Sequence, residues 1–263
     1  MRKRLIATAN ALFVFGALVL LWQLVIWIFH VQKFMLPPPW AVGKAVVARF
    51  PSLLTSLAIT AQESLGGLIA SIIVGVLIAL VFAQSRWVRR MLFPYTILLQ
   101  TVPILAIAPL ILMWVGAGMA AVTFIAFIIS LAPIIANTTQ GLISVDENLV
   151  NLFLMHNASP AQILLKLRLP HAVPSLFVGI RIASGIAVIG AITGELFAGS
   201  SRVGEGGLGY SILYASTQLE TDYLFALVLA SVVLGFSFFF IVMFLEWHFL
   251  HRWHESALTP ETE

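Results

Sequence analysis

Two acidic residues lie inside long apolar stretches of this sequence. Glu63 and Glu195 each stand in such a stretch, and a charge buried in a membrane costs about 2.5 kcal/mol or more, so an acid there usually serves a transport pathway or a buried partner. A structural role stays open for both, because Glu195 lies near the end of its stretch and Glu63 only a short way into its own. Arg181 either pairs across helices with Glu63 or Glu195 or extends toward the membrane surface.

Two further polar residues lie beside prolines that interrupt apolar stretches. Gln100 precedes Pro103, and Asn137 follows Pro133. A proline frees a backbone carbonyl group, which inside a helical bundle often faces a cavity. We therefore add Gln100 and Asn137 to the candidate pathway residues, although hydrogen bonding between helices is the commoner role of such side chains.

The sequence contains one nucleotide-binding pattern outside its structural context and only the start of another. Residues 204–209 satisfy G-x-G-x-x-G, but they follow an apolar helix and not the strand that a dinucleotide-binding fold requires. Gly43 and Lys44 are followed by Ala45, so no phosphate-binding P-loop is formed. We expect that this chain is not an enzyme and holds no cofactor of its own.

Three histidines recur near the carboxyl terminus, at positions 248, 251 and 254. A metal site needs ligands that converge from several segments, whereas these three share one segment with Trp247 and Trp253. An interfacial tail is therefore the preferred interpretation. The absence of cysteine excludes disulfides and cysteine-based metal sites.

The segment from about 142 to 171 contains two signals for the start of a helix. Ser144 and Glu147 form one capping-box pattern, and the second begins at Ser159. Asn157 lies between them and tolerates the left-handed conformation that ends a helix. The pattern predicts two short helices joined by a tight turn, with the second helix ending before Pro170.

The elements that must position these residues are membrane spans. The chain has 263 residues, of which 60% are hydrophobic and 10% charged, far fewer charges than a soluble domain carries. Apolar stretches of roughly 20 residues predict helical spans, and the fold class is an all-α membrane protein with one domain. We place six transmembrane helices at about 9–29, 57–83, 92–114, 119–141, 173–198 and 223–247.

The basic residues indicate the topology and not a nucleic-acid partner, because they lie in short loops between apolar stretches. Nine of them fall in the loops on one side of the predicted spans and four on the other. The positive-inside rule then places both termini in the cytoplasm. The larger group comprises Arg2, Lys3, Arg4, Arg86, Arg89, Arg90, Lys166, Arg168 and Arg252, and the smaller one Lys33, Lys44, Arg49 and Arg202.

The loop segment resembles the EAA motif of binding-protein-dependent ABC importer permeases, which is Glu-Ala-Ala, three residues, Gly, nine residues and Ile-x-Leu-Pro. Aligned on residues 167–170, the sequence places 151–153 at Glu-Ala-Ala and Asn157 at the Gly. The spacing is kept, while Asn151 replaces the acidic residue. Other stretches that resemble the family are 36–39, 103–110, 114–116, 179–183, 194–195 and 207–209.

This resemblance implies a type I ABC importer fold in the bacterial inner membrane and a coupling segment at 145–170. Its partners would be two copies of an ABC ATPase that bind ATP and Mg²⁺, a second permease copy, an extracytoplasmic solute-binding protein and membrane lipid. The residues that the resemblance places at the ATPase are Asn151, Asn157, Ala158, Ile163, Leu164, Leu167, Leu169 and Pro170.

The transported solute is open at this point. Residues 208–210 and 214–219 resemble permeases for the pyrimidine precursor of thiamine and for riboflavin; permeases for sulfonate, taurine, nitrate or bicarbonate are the alternative. A secondary transporter driven by an ion gradient, with Glu63 and Glu195 as the coupling acids, and a membrane-embedded enzyme with histidine ligands are the rival classes.

Overall fold

The structure is a computed structural model that describes residues 2–198 and 206–251, and these ranges are helical with no strand. Eleven α-helices follow one another in them, and a π-helical segment, Leu164–Arg168, joins the eighth to the ninth. The helices are α1 (Arg2–Phe29), α2 (Pro39–Ala48), α3 (Phe50–Gln84), α4 (Arg86–Thr101), α5 (Ile104–Val115), α6 (Met119–Ile143), α7 (Glu147–Met155), α8 (Pro160–Ile163), α9 (Leu169–Ala198), α10 (Leu208–Thr217) and α11 (Thr221–Leu250).

Four helical rods are long and apolar enough to cross a membrane: α3, α6, α11, and the rod from Pro160 to Ala198 that joins α8 to α9. The helices α4 and α5 bend by 99° where they meet, and they form either one broken span or a re-entrant loop. The described residues thus contain four or five candidate spans. In α1, where the first of the six predicted spans falls, Gly16–Phe29 is a shorter apolar helix.

The third predicted span, at 92–114, is interrupted at Pro103, one of the prolines predicted to interrupt an apolar stretch. The chain leaves the helical conformation at Val102, with φ −69° and ψ 121°, and resumes it after Pro103. Proline disfavours the helical conformation of the residue before it and cannot donate a backbone hydrogen bond. The dipeptide Val102-Pro103 therefore separates α4 from α5.

The centre of the bundle is α6, which packs against α3 and α9. Small residues allow this close approach. A Cβ atom added to Gly67 on α3 would lie 2.6 Å from Cβ of Ala126, and one added to Gly141 on α6 would lie 2.7 Å from Cβ of Ser175. Neither position has room for a larger side chain.

The order of these contacts defines two ends of the bundle. Positions 67 and 75 of α3 lie beside positions 126 and 134 of α6, so these two helices are parallel. Positions 141, 137 and 129 of α6 lie beside positions 175, 179 and 190 of α9, so α9 runs antiparallel to α6. The α7 end holds α7, α8 and the carboxyl ends of α3 and α6. The α10 end holds α10 and the amino ends of α3 and α6.

Candidate functional site

The first helix of the α7 end is capped two positions after the predicted cap, Ser144. The side chain of Asp146 accepts a hydrogen bond from the backbone N–H of Asn148 at 2.8 Å, so Asp146 caps α7. The predicted capping box of Ser144 and Glu147 is wrong. Because α6 continues to Ile143, the hydroxyl of Ser144 donates to the carbonyl of Gly141 at 3.2 Å instead.

The turn between α7 and α8 has a positive φ of 54° at Asn157, the left-handed conformation predicted for this residue. The N–H of Asn157 donates to the carbonyl of Leu154 at 2.9 Å, and the N–H of Ala158 donates to the carbonyl of Phe153 at 3.0 Å. These two bonds are those of a Schellman motif, which satisfies the last carbonyl groups of a helix. The turn therefore fixes the direction in which α8 leaves α7.

We expect that Asn157→Val disrupts this turn, because a β-branched residue is strongly disfavoured at positive φ. The cost is about 1–2 kcal/mol, and it should appear as faster proteolysis between α7 and α8 in the purified protein. Asn157→Gly is the matched control, because glycine adopts this conformation freely. Equal cleavage rates for the Val variant and the native protein would contradict the assignment.

The second helix starts as predicted and then continues past the predicted end. Ser159 and Gln162 form a complete capping box at the start of α8. The chain then forms a π-helical turn, Leu164–Arg168, in which the N–H of Leu169 bonds to the carbonyl of Leu164. Such a wider turn accommodates irregularities within a helix, and Pro170 follows it without ending the helix. The prediction that this helix ends before Pro170 is therefore wrong.

The apolar side chains of this segment face two ways. Ile163 is buried, and Leu164 and Leu169 pack against a cluster that includes Ala83 and Leu142. The guanidinium of Arg168 adds a hydrogen bond to the carbonyl of Ala83 at 3.1 Å, in the last turn of α3. These side chains attach the segment to the bundle. A partner protein would therefore have to contact other residues of the segment.

The exposed apolar surface lies mainly on α7. Leu149, Leu152 and Met155 recur every third residue and are 46%, 50% and 81% exposed; we call them the α7 face. Leu165 on the π-helical turn is also exposed. The sequence analysis did not select these residues, although their spacing could have indicated an apolar side of α7. Among the predicted coupling residues, Asn151, Asn157 and Pro170 are exposed, and Ala158 and Leu167 are half-buried.

The structure brings Glu63 and Glu195 together near the α10 end. They are 4% and 3% exposed and lie beside each other, and Oε2 of Glu63 is buried without a hydrogen-bond partner. Glu195 accepts a hydrogen bond from the hydroxyl of Thr60 at 2.6 Å and one from the N–H of Gly209 at 2.5 Å. Thr60 in turn accepts from the N–H of Leu208 at 2.8 Å. The buried acid therefore joins α3, α9 and α10.

These bonds cap the amino end of α10 from other helices. The position before α10 is Gly207, which has no side chain that could cap the helix. A helix begins with backbone N–H groups that lack partners within the helix. Here Thr60 and Glu195 are the acceptors for the first N–H groups of α10. Thr60 and Glu195 make these bonds, and Glu63 lies beside Glu195; we call the three residues together the capping triad. Both oxygens of Glu195 thus have partners within the protein.

The other predicted pathway residues lie elsewhere. The amide of Asn137 donates to the carbonyl of Pro133 at 2.8 Å, within α6. Asn137 also lies beside Gly179, which is roughly 24 Å from Glu195 along α9 at 1.5 Å per residue. Gln100 is exposed near the end of α4.

Arg181 forms an ion pair with Glu246 on α11. It therefore pairs with neither Glu63 nor Glu195, the two acids considered for it. Glu246 was not among the candidate residues, because it lies close to the end of the last predicted span. Among the described residues no cluster of three or more His, Asp and Glu side chains could hold a metal ion. His254, Gly204 and Glu205 lie outside the described residues.

Comparison with known proteins gives a consistent set of relatives. Residues 71–250 match the family described as binding-protein-dependent transport system inner membrane component. A probable ABC transporter permease protein of Haemophilus influenzae is 33% identical over 92% of this chain and 95% of its own length.

Several relatives have names that include a solute. A putative aliphatic sulfonates transport permease protein SsuC of Escherichia coli is 32% identical over 57% of this chain and 56% of its own length. The formylaminopyrimidine transport permease protein ThiX of Halalkalibacterium halodurans is 31% identical over 82% of this chain and 84% of its own length. The riboflavin transport system permease protein RibX of Chloroflexus aurantiacus is 30% identical over 91% of this chain and 88% of its own length.

The fold has a counterpart among solved structures. A chain of the methionine ABC transporter MetNI superposes with a TM-score of 0.56 at 20% identity, over 80% of this chain and 96% of that chain. This likeness confirms the predicted all-α fold of the type I importer class.

Proposed function

This chain belongs to the family of binding-protein-dependent transport system inner membrane components and is an ABC importer permease subunit; from that premise we propose that it carries a small heteroaromatic solute across the inner membrane. The solute is a thiamine-precursor pyrimidine or a riboflavin-type compound, as the names of two relatives suggest. Sulfonate, taurine, nitrate or bicarbonate is the alternative cargo of the same class of importer.

The observation that carries the mechanism is the continuous connection of α8 to α9. The helical segment that begins at Pro160 runs through the π-helical turn into α9 and reaches Ala198, beside the capping triad. A force applied to α7 and α8 at one end can therefore reach the α10 end through a single helical rod. This arrangement supports a coupling role for the segment 145–170, with the α7 face as the surface that contacts the ATPase.

The assembly follows from the same proposal. One chain contains one half-pore, so a second copy of it completes the pathway, and two ATPase subunits bind ATP and Mg²⁺ at the cytoplasmic side. The α7 end is then cytoplasmic, together with both termini, and a solute-binding protein delivers the solute at the α10 end. The positive-inside distribution of basic residues supports this orientation.

Reconstituted uptake tests the proposal. We expect proteoliposomes that contain this permease, its ATPase and its solute-binding protein to accumulate solute only with ATP on the ATPase side. An uncoupler should leave the rate unchanged, because no ion gradient is used. Uptake without nucleotide that an uncoupler abolishes would favour the ion-coupled transporter, for which the buried Glu63 and Glu195 are the candidate coupling acids.

A further inference from the structure

A cavity of about 290 Å³, lined by residues that carry polar groups, opens at the α10 end between α3, α10 and α11. Three serine hydroxyls and three tyrosine side chains line it together with Arg49. Ser56 and Ser211 are joined by a hydrogen bond of 2.8 Å between their hydroxyl groups. Ser56 lies one helical turn before Thr60, and Ser211 follows Gly209 by two residues, so the cavity adjoins the capping triad.

The aromatic wall of the cavity has parallel rings. Tyr210 and Tyr214 lie one turn apart on α10, with their ring centroids 6.4 Å apart and their planes at 22°. On α11, Tyr223 is buried and faces the guanidinium of Arg49, whose central carbon lies 4.7 Å from the ring centroid. Flat aromatic surfaces with hydroxyl groups beside them suit a planar ligand with hydrogen-bonding edges.

The charges at the cavity do not favour an anion. Arg49 forms a bidentate pair with Glu220. Its two terminal guanidinium nitrogens donate to the two carboxylate oxygens, one of them at 2.6 Å. This pairing holds the pKa of the Glu220 carboxyl below its usual range, so that the carboxylate stays ionised at neutral pH. A neighbouring cavity shares Arg49 and Tyr223, and there Lys33 lies 3.5 Å from Asp222. Each of these two cations is already neutralised.

We propose that this cavity is a solute subsite of the permease, and that it binds a neutral, planar heteroaromatic compound by stacking and by hydrogen bonds to hydroxyl groups. The inference rests on the proposed importer function and deepens it, because it selects the solute class from the chemistry of the chain. A sulfonate or nitrate would need an unpaired cation, whereas the two cations at the cavity and its neighbour have carboxylate partners.

Binding to the assembled permease–ATPase complex in nanodiscs tests the subsite. The probes for equilibrium dialysis are radiolabelled riboflavin, formylaminopyrimidine and, as the anionic comparison, taurine. We expect saturable binding of at least one heteroaromatic probe and none of taurine. Tyr214→Leu should weaken that binding about fivefold or more through loss of stacking. Tyr95→Leu is the matched control, because Tyr95 is exposed on α4 and does not line the cavity.

A second variant covers the case in which the Tyr214 variant does not fold. Ser52 lines the cavity from an exposed position, and Ser52→Trp should block the cavity and abolish binding without disturbing the core. Unchanged binding in both variants, saturable taurine binding, or no saturable binding of either heteroaromatic probe would overturn the subsite. Failure of the native chain to assemble with the ATPase would instead overturn the importer function itself.

Discussion

The double variant Leu152→Asp, Met155→Asp should lose its association with the ATPase and its ATP-driven uptake, while it still inserts into the membrane. Both side chains lie on the α7 face and are at least half exposed, so aspartate there disturbs no packing within the chain. Truncating a central interface residue typically costs about 2 kcal/mol or more, and an unpaired carboxylate in an apolar contact adds to that cost. We expect co-purification with the ATPase to fall at least tenfold.

The matched control is Leu219→Asp. Leu219 is 80% exposed and follows α10, at the opposite end of the bundle, so this substitution places an aspartate far from the ATPase. This variant should co-purify with the ATPase as the native chain does. Normal co-purification and uptake in the double variant would show that α7 is not the docking surface.

The assignment of α7 as the docking surface depends on long-range packing, which local sequence signals do not reveal. Local signals identified Asn157 as the turn and Ser159 with Gln162 as a cap, because each depends on neighbours within a few residues. Whether Leu164 faces a partner or the bundle depends on the distant carboxyl ends of α3 and α6, against which it packs. The segment was therefore predictable from local signals, but the residues predicted within it include buried as well as exposed ones.

Long-range polar contacts were the other features that the sequence did not reveal. Arg181 and Glu246 lie 65 positions apart, and Thr60 and Glu195 lie 135 positions apart. Acids within spans are rare enough to be noticed, which is why Glu63 and Glu195 were selected. Their meeting with each other, and the use of Glu195 as a cap for α10, depend on the packing of three helices.

Substitutions in the capping triad should have the second large effect, because they lower both the stability of the chain and its transport activity. Glu195→Ala removes the acceptor for the N–H of Gly209 and leaves that donor buried without a partner. The hydroxyl of Thr60 also loses Glu195, but the carbonyl of Ser56 still lies within 3.1 Å of it. An unsatisfied buried donor costs about 1–3 kcal/mol. We expect a lower unfolding temperature in detergent. We also expect the stimulation of ATP hydrolysis by the solute-binding protein to be at least tenfold smaller than with the native chain. Glu195→Gln keeps one acceptor oxygen and should fall between the native chain and the alanine variant.

Thr60→Val provides the sharper comparison, because the chain offers a matched control. Thr60 and Thr138 are both buried, but the hydroxyl of Thr138 has no hydrogen-bond partner, whereas that of Thr60 joins Glu195 to Leu208. Replacing an unpaired hydroxyl with a methyl group is close to neutral or stabilising, whereas removing a paired one leaves its partners unsatisfied. Thr60→Val should therefore lower the unfolding temperature and the stimulated ATP hydrolysis, and Thr138→Val should lower neither. Equal effects of the two substitutions would mean that the triad contributes no more than ordinary packing, and α10 would then need another explanation for its position.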